Sequence, residues 1–187
     1  MNALLIEPTA DKVKYASKKF DEEFSVTETA LGTLFGLYPT NTDTSHVLLK
    51  VVALNRLYST QILAVHAVAD HIYQNHQAID DGLASGALEI VDKVARVKIG
   101  EKDRSNLSFA SKYCNWHRPE IYPIYDSRVD KYLLGLQKQV RFSDSEFSHE
   151  SLRNYPAFVK VMESFRKRYK LDSFPFKQID KFIWLHG

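Results

Sequence analysis

The stretch Ser105–Arg128, Ser-Asn-Leu-Ser-Phe-Ala-Ser-Lys-Tyr-Cys-Asn-Trp-His-Arg-Pro-Glu-Ile-Tyr-Pro-Ile-Tyr-Asp-Ser-Arg, most narrowly limits what this chain can become. Leu107, Ala110, Cys114 and His117 recur at helical spacing on one face, and Phe109, Tyr113 and Trp116 cover a second. Only a narrow stripe of Ser108, Ser111, Lys112 and Asn115 is polar. A helix apolar over most of its girth belongs inside a domain, and its polar stripe must meet a cleft, a ligand or buried partners. Pro119 and Pro123 end this helix, and Pro123 imposes extended backbone on Tyr122. The segment Ile121–Tyr125 then delivers Asp126 to the start of a second helix, expected from Ser127 to about Leu136.

The rest of the chain reads as helix after helix. Val13, Ala16 and Phe20 mark one over residues 9–23, and residues 28–37 mark another, ended by Tyr38-Pro39. Asn41, Thr42, Asp43 and Ser45 are capping types that open a long apolar helix over residues 43–60. Residues 62–76 continue as helix, and Gly82 and Gly86 punctuate a short helix or turn at 80–85. Residues 87–97 read as a helix stopped by Gly100 in the manner of a C-cap. A polar loop at 143–150 precedes helices at about 151–170 and 176–187. With seven glycines, six prolines, and no repeat or linker in 187 residues, the expected class is a single all-α domain.

Charge is unevenly spread. Residues 1–92 hold 6 Lys/Arg against 12 Asp/Glu, and residues 93–187 hold 19 against 11. An acidic lobe (about 1–92) and a basic lobe (about 93–187) follow, the basic one suited to a polyanion. Segregated but ordinary solvated faces would produce the same count. The start carries no basic-then-apolar leader, and no apolar run approaches the ~18–20 residues that span a bilayer, so a cytoplasmic protein is expected. The lone Cys114 excludes an internal disulfide or a cysteine-ligated cluster. His66, His71 and His76 step by five and do not stack on one helix face, and no glycine-rich phosphate loop occurs, so neither a metal site nor a cofactor is expected. Asp126 sits where an N-cap sits, and Ser127-x-x-Asp130 has the form of a capping box.

The order of a helix with a small polar residue and Ala, a turn with Pro, then Pro123-Ile-Tyr-Asp126-Ser-Arg-Val129 resembles the core of the helix-hairpin-helix DNA glycosylases. In that superfamily a helix carries Lys-x-Ala or Ser-x-Ala, and a Val-Asp-Thr-His-Val type segment downstream supplies a catalytic aspartate. Counting back eighteen residues from Asp126 reaches Ser108, with Ala110 on the family's alanine. The ending Ile179-Asp-Lys-Phe-Ile-Trp-Leu-His-Gly187 is similar to a late helix of the family. Where the family has Leu-Pro-Gly-Val-Gly, this chain has Val97-Lys-Ile-Gly-Glu-Lys-Asp-Arg104, and Lys98, Lys102 and Arg104 would stand in electrostatically.

The resemblance implies a two-lobed helical fold that binds DNA and hydrolyses the N-glycosidic bond of a flipped nucleotide. Asp126 would be catalytic, with Ser108 and Lys112 beside it. Tyr113, Trp116, Tyr122 and Tyr125 would form the base pocket. Lys98, Lys102, Arg104, Arg128, Arg166, Lys167 and Arg168 would face the phosphates. A serine at position 108 implies hydrolysis without strand cleavage. A non-catalytic nucleic-acid-binding module and a protein-interaction module stay open as alternatives.

Overall fold

The computed structural model describes residues 4–187. Helices dominate: α1 Ala10–Leu37, α2 Thr44–Leu57, α3 Val65–Gln74, α4 His76–Ser85, α5 Ile90–Ala95, α6 Leu107–His117, α7 Ser127–Val140, α8 His149–Leu152, α9 Tyr155–Arg168 and α10 Phe176–His186. The two expected N-terminal helices are one. Ser25-Val26-Thr27 are poor helix formers, but none removes an amide or clashes as proline would, so α1 runs through them. Among the described residues no helix is long and apolar enough to cross a membrane.

One expectation changes in kind. The helix foreseen over 87–97 is only α5, and the chain then turns into two strands, β1 Arg96–Ile99 and β2 Lys102–Ser105. They pair antiparallel, Arg96 opposite Ser105 and Ile99 opposite Lys102. Gly100 opens the two-residue turn at φ 61°, where a side chain would strain the backbone. Gly100 is thus a hairpin residue, not a helix C-cap. The segment that the glycosylase resemblance places at a helix-hairpin-helix turn is a β-hairpin.

The chain forms two compact units. The first joins the residues up to Ser25 with Pro123–Gly187, and the second is Val26–Tyr122. The sequence boundary between acidic and basic halves, at residue 92, falls inside the second unit.

The first unit has an aromatic core. Tyr132 meets Phe165 and Phe182 edge-on at 6.2 and 6.1 Å, and Phe142 meets Phe165 at 5.6 Å. Phe20 and Phe24 of α1 both pack edge-on against Trp184 of α10. The segment before α1 is pinned to α7. Leu5 N donates to Gln139 Oε1, Gln139 Nε2 donates back to Leu5 O, and Tyr132 OH donates to Ile6 O.

In the second unit, one of the four capping types read at the start of α2, Asp43, is its N-cap. Asp43 Oδ1 accepts from Ser45 N and His46 N at 2.8 and 3.0 Å. Helix α6 is buried on every side, its polar Ser111, Lys112 and Asn115 included. The glycine pair of α4 divides its work. Gly86 ends the helix in the left-handed region at φ 75°. Gly82 lies inside it, because Ile90 of α5 occupies the space where a side chain would go.

A Cβ on Gly82 would stand 2.7–3.1 Å from three atoms of Ile90, including its Cβ, which cannot swing away. Alanine gains up to about 1 kcal/mol of helix propensity, while overpacking costs roughly 1–3 kcal/mol. Gly82→Ala should therefore lower stability by about 0–2 kcal/mol in chemical denaturation; a variant more stable than the parent would refute this packing.

Candidate functional site

In the first unit the start of α7 gathers the strongest chemical constellation. The connector leading into it is held by α9. Tyr155 OH donates to Pro123 O at 2.7 Å, and Tyr125 packs edge-on against Phe158 at 5.3 Å. Asp126 follows in extended conformation and is the N-cap of α7, its Oδ1 accepting from Arg128 N and Val129 N, each at 3.0 Å. Its side chain is partly exposed. The cap is Asp126 alone; Asp130, read as the partner of Ser127 in a capping box, points elsewhere.

Asp130, one turn further along α7, is 6% exposed. Its Oδ2 contacts Nδ1 of His149, the first residue of α8, whose side chain is 71% exposed. Asp130 Oδ1 is buried and has no hydrogen-bond partner among the described residues. The Tyr125 hydroxyl is held above its ordinary pKa by burial, then by the charges of Asp130 and Asp126, with Arg153 opposing.

Ser108 and Lys112 lie in the second unit. Lys112 Nζ donates to Ser108 Oγ at 2.9 Å, and the ammonium sits 5.8 Å from the centre of the Tyr58 ring. Lys112 is 5% exposed, so it is a buried lysine and not a surface one. Two of the four residues expected to wall a base pocket are core. Tyr113 and Tyr122 have no exposed surface, Tyr113 OH donating to Asn41 Oδ1 and Tyr122 OH lying 3.2 and 3.1 Å from Gly82 O and Ala87 O. An apolar helix face and a Pro-flanked connector pack, and packing hides the rings. Trp116 and Tyr125 keep some exposure; Trp116 stacks on Phe35 at 5.9 Å.

The unit also holds a polar centre that sequence reading passed over. Lys50 is fully buried, yet its Nζ donates to Tyr38 O, Thr40 O and Asn41 Oδ1 at 3.1, 3.0 and 2.8 Å. Asn41 is fixed in turn by Asp80, which accepts from its backbone N at 3.0 Å and its side-chain Nδ2 at 2.6 Å. Phe35 and Tyr113 lie 5.5 and 5.4 Å from the ammonium, and His117 Nε2 lies 3.4 Å away. Burial pulls Lys50 down to about 8, with Asp80 opposing. Burial, then the charge of Lys50, pushes His117 down to about 3. A signal for Lys50 existed in the sequence: Val47, Lys50, Val51 and Leu54 form one helical stripe, and a lysine on that stripe must be buried with partners.

Of the basic residues, Lys98, Lys102 and Arg104 are exposed on the β-hairpin. Lys98 stands opposite Asp103. Arg128 and Arg166 are engaged within their own unit. Arg128 Nη1 donates to Trp184 O at the end of α10, and Arg166 Nη2 donates to Asp172 O and lies 4.5 Å from the Phe176 ring centre. Lys167 and Arg168 are exposed. Among the described residues no group of three or more His, Cys, Asp or Glu side chains is placed to hold a metal ion.

The fold and these sites define a mostly helical protein whose second unit is organised on a buried ammonium and whose first unit places Asp126 and Asp130 one turn apart at the start of α7. Residues 9–121 match the family HI_0787_N, described as an N-terminal domain, and the chain belongs to that family. It is 40% identical over 133 residues to an uncharacterized protein of Haemophilus influenzae, a match that covers 71% of this chain and 62% of that relative's length. No solved structure matches. The family segment contains every member of the Lys50 centre and ends beside the unit boundary at Tyr122; Asp126, Asp130 and His149 lie beyond it.

Two outcomes follow for the Lys50 centre. Lys50→Met should destabilise the protein by roughly 2–4 kcal/mol, because buried acceptors lose their donor. The folded pKa of His117 lies below its unfolded value of 6.5, so the unfolded state binds more protons between about pH 3 and 6.5. Stability should therefore fall as pH drops through that window, and His117→Gln should flatten that part of the curve in urea titrations.

Proposed function

We propose that this protein hydrolyses the N-glycosidic bond of a nucleotide drawn out of a nucleic-acid strand, with Asp126 as the catalytic carboxylate. What carries the reading is the start of α7. A partly exposed carboxylate is oriented there by two backbone N–H groups, with a second carboxylate one turn further along the helix. Breaking a glycosidic bond develops positive charge on the sugar, and a fixed anion next to C1′ stabilises it. The Pro-Ile-x-Asp-Ser-x-Val likeness to the DNA glycosylases supports the same assignment. Ser108 at the position of the family's nucleophile, with Lys112 hydrogen-bonded to it and shielded from solvent, favours hydrolysis without a Schiff base.

Asp126→Asn should fold normally, since Asn caps a helix about as well as Asp, while base release falls by orders of magnitude. Unchanged release would remove Asp126 from the chemistry. Borohydride trapping on abasic-site DNA should yield no adduct; one lost in Lys112→Gln would replace hydrolysis by a lyase step.

The exposed hairpin favours a second reading, a nucleic-acid-binding module without catalysis. Lys102 and Arg104 lie on one face of β2, both exposed to solvent. Under either reading affinity for DNA should fall steeply between low and physiological salt. Lys98→Gln with Lys102→Gln and Arg104→Gln should weaken binding evenly across sequences and reduce the salt slope. Salt-independent binding would count against both.

A further inference from the structure

We infer that His149, oriented by Asp130, is the general acid that protonates the departing base. This rests on the glycosidic reading above and assigns a second catalytic residue to the same site. The pairing has the geometry that acid–base histidines require. One ring nitrogen is held by a buried carboxylate and the other is left to solvent: Nδ1 meets Asp130 Oδ2, and the imidazole side chain is 71% exposed. A carboxylate on Nδ1 fixes the ring and its tautomer, so Nε2 is the nitrogen that gives and takes a proton.

Three features distinguish this pair from an ordinary surface ion pair. Asp130 is 6% exposed, and charges at such burial are rarely kept without a purpose or a full set of partners. It lacks the full set: Oδ1 has no hydrogen-bond donor among the described residues. And His149 begins a four-residue helix whose N-cap Ser148 is locked by a reciprocal pair of bonds with Ser151, so the imidazole projects from a fixed point. Asp126, the N-cap of α7, and Asp130 sit one helical turn apart.

The division of labour is that of two groups flanking a scissile bond. The C1′–N bond breaks and its electron pair leaves with the base, while the Nε2 proton of the imidazolium moves to that base. Asp126 faces the sugar cation. Water adds its oxygen to C1′, and its proton returns by way of Asp126 to solvent. One water is consumed, one base is released protonated, and His149 regains its proton from solvent.

The experiment compares two leaving groups in oligonucleotides, hypoxanthine, which is neutral and needs a proton to leave, and 7-methylguanine, which is already cationic. His149→Gln should slow hypoxanthine release by roughly 10²–10⁴-fold, the usual contribution of a positioned acid. It should change 7-methylguanine release by less than about threefold, because no proton is required there. Asp130→Asn should show the same selectivity between the two leaving groups, because the ring it orients is then no longer held. A merely structural pair would move the melting temperature and slow both substrates alike.

Loss of both activities with Asp126→Asn, together with unaltered rates in His149→Gln, would overturn this assignment and leave the glycosidic reading standing. So would release of 7-methylguanine alone by the parent protein, since no acid is then in use. If the parent releases neither base from duplex or single-stranded DNA, the glycosidic reading itself fails, and His149 loses its role with it.

Discussion

One ammonium group holds the second unit together. After α1 ends at Leu37, the carbonyls of Tyr38 and Thr40 have no helical partner, and Lys50 on α2 supplies their donors from the interior. Its third bond goes to Asn41, which Asp80 on α4 grips by both backbone and side chain. Tyr113 and His117 on α6 close the ring of contacts. Four helices are thereby registered on one charge. A buried cation is tolerated because all three of its N–H groups are used and Asp80 lies within electrostatic reach. Hydrophobic packing alone would fill the same volume, but would not specify which carbonyls meet which donor.

The first unit is built on a different principle. Its aromatic core leaves the entrance of α7 at the surface, and the rigid connector from Pro123 is set by Tyr155 and Phe158 beneath it. Capping and chemistry are compatible at Asp126. The two N–H bonds engage Oδ1, and the same bonds that begin the helix hold the carboxylate in one orientation. Asp130 and His149, nineteen residues apart in the chain, meet only because α8 folds back beside α7.

The likeness to helix-hairpin-helix proteins is carried by the Asp126 segment and stops short of the motif that names them. A backbone phosphate cradle made by a glycine-rich turn between helices has no counterpart in the strand pair Arg96–Ser105. Phosphate contact in the proposed function falls instead to side chains on an exposed hairpin, which bind by charge and without the geometric definition of oriented amides.

Much of the helical scaffold is legible in the sequence. Periodicity placed α2, α6, α7, α9 and α10, and Asp126 and a cluster of capping types at 41–45 were readable as helix starts, because these are local signals within a few residues of one another. The burial of most of α6 followed from its apolar girth. Reading failed where local signals were weak or ambiguous. Ser25–Thr27 looked like a break in α1, and residues 96–105 alternate too briefly to separate strand from helix. Gly82 resembled a stop and proved to be a point of close approach. What only the tertiary structure decided were the pairings across sequence: Lys50 with the carbonyls after α1, Asn41 with Asp80, Asp130 with His149. Tyr113 and Tyr122 likewise became core when their neighbours covered them. A sequence states which groups need partners, since burial makes an unmet charge or hydrogen bond costly. Which partner each one finds depends on how the helices are brought together, and that is a property of the whole fold.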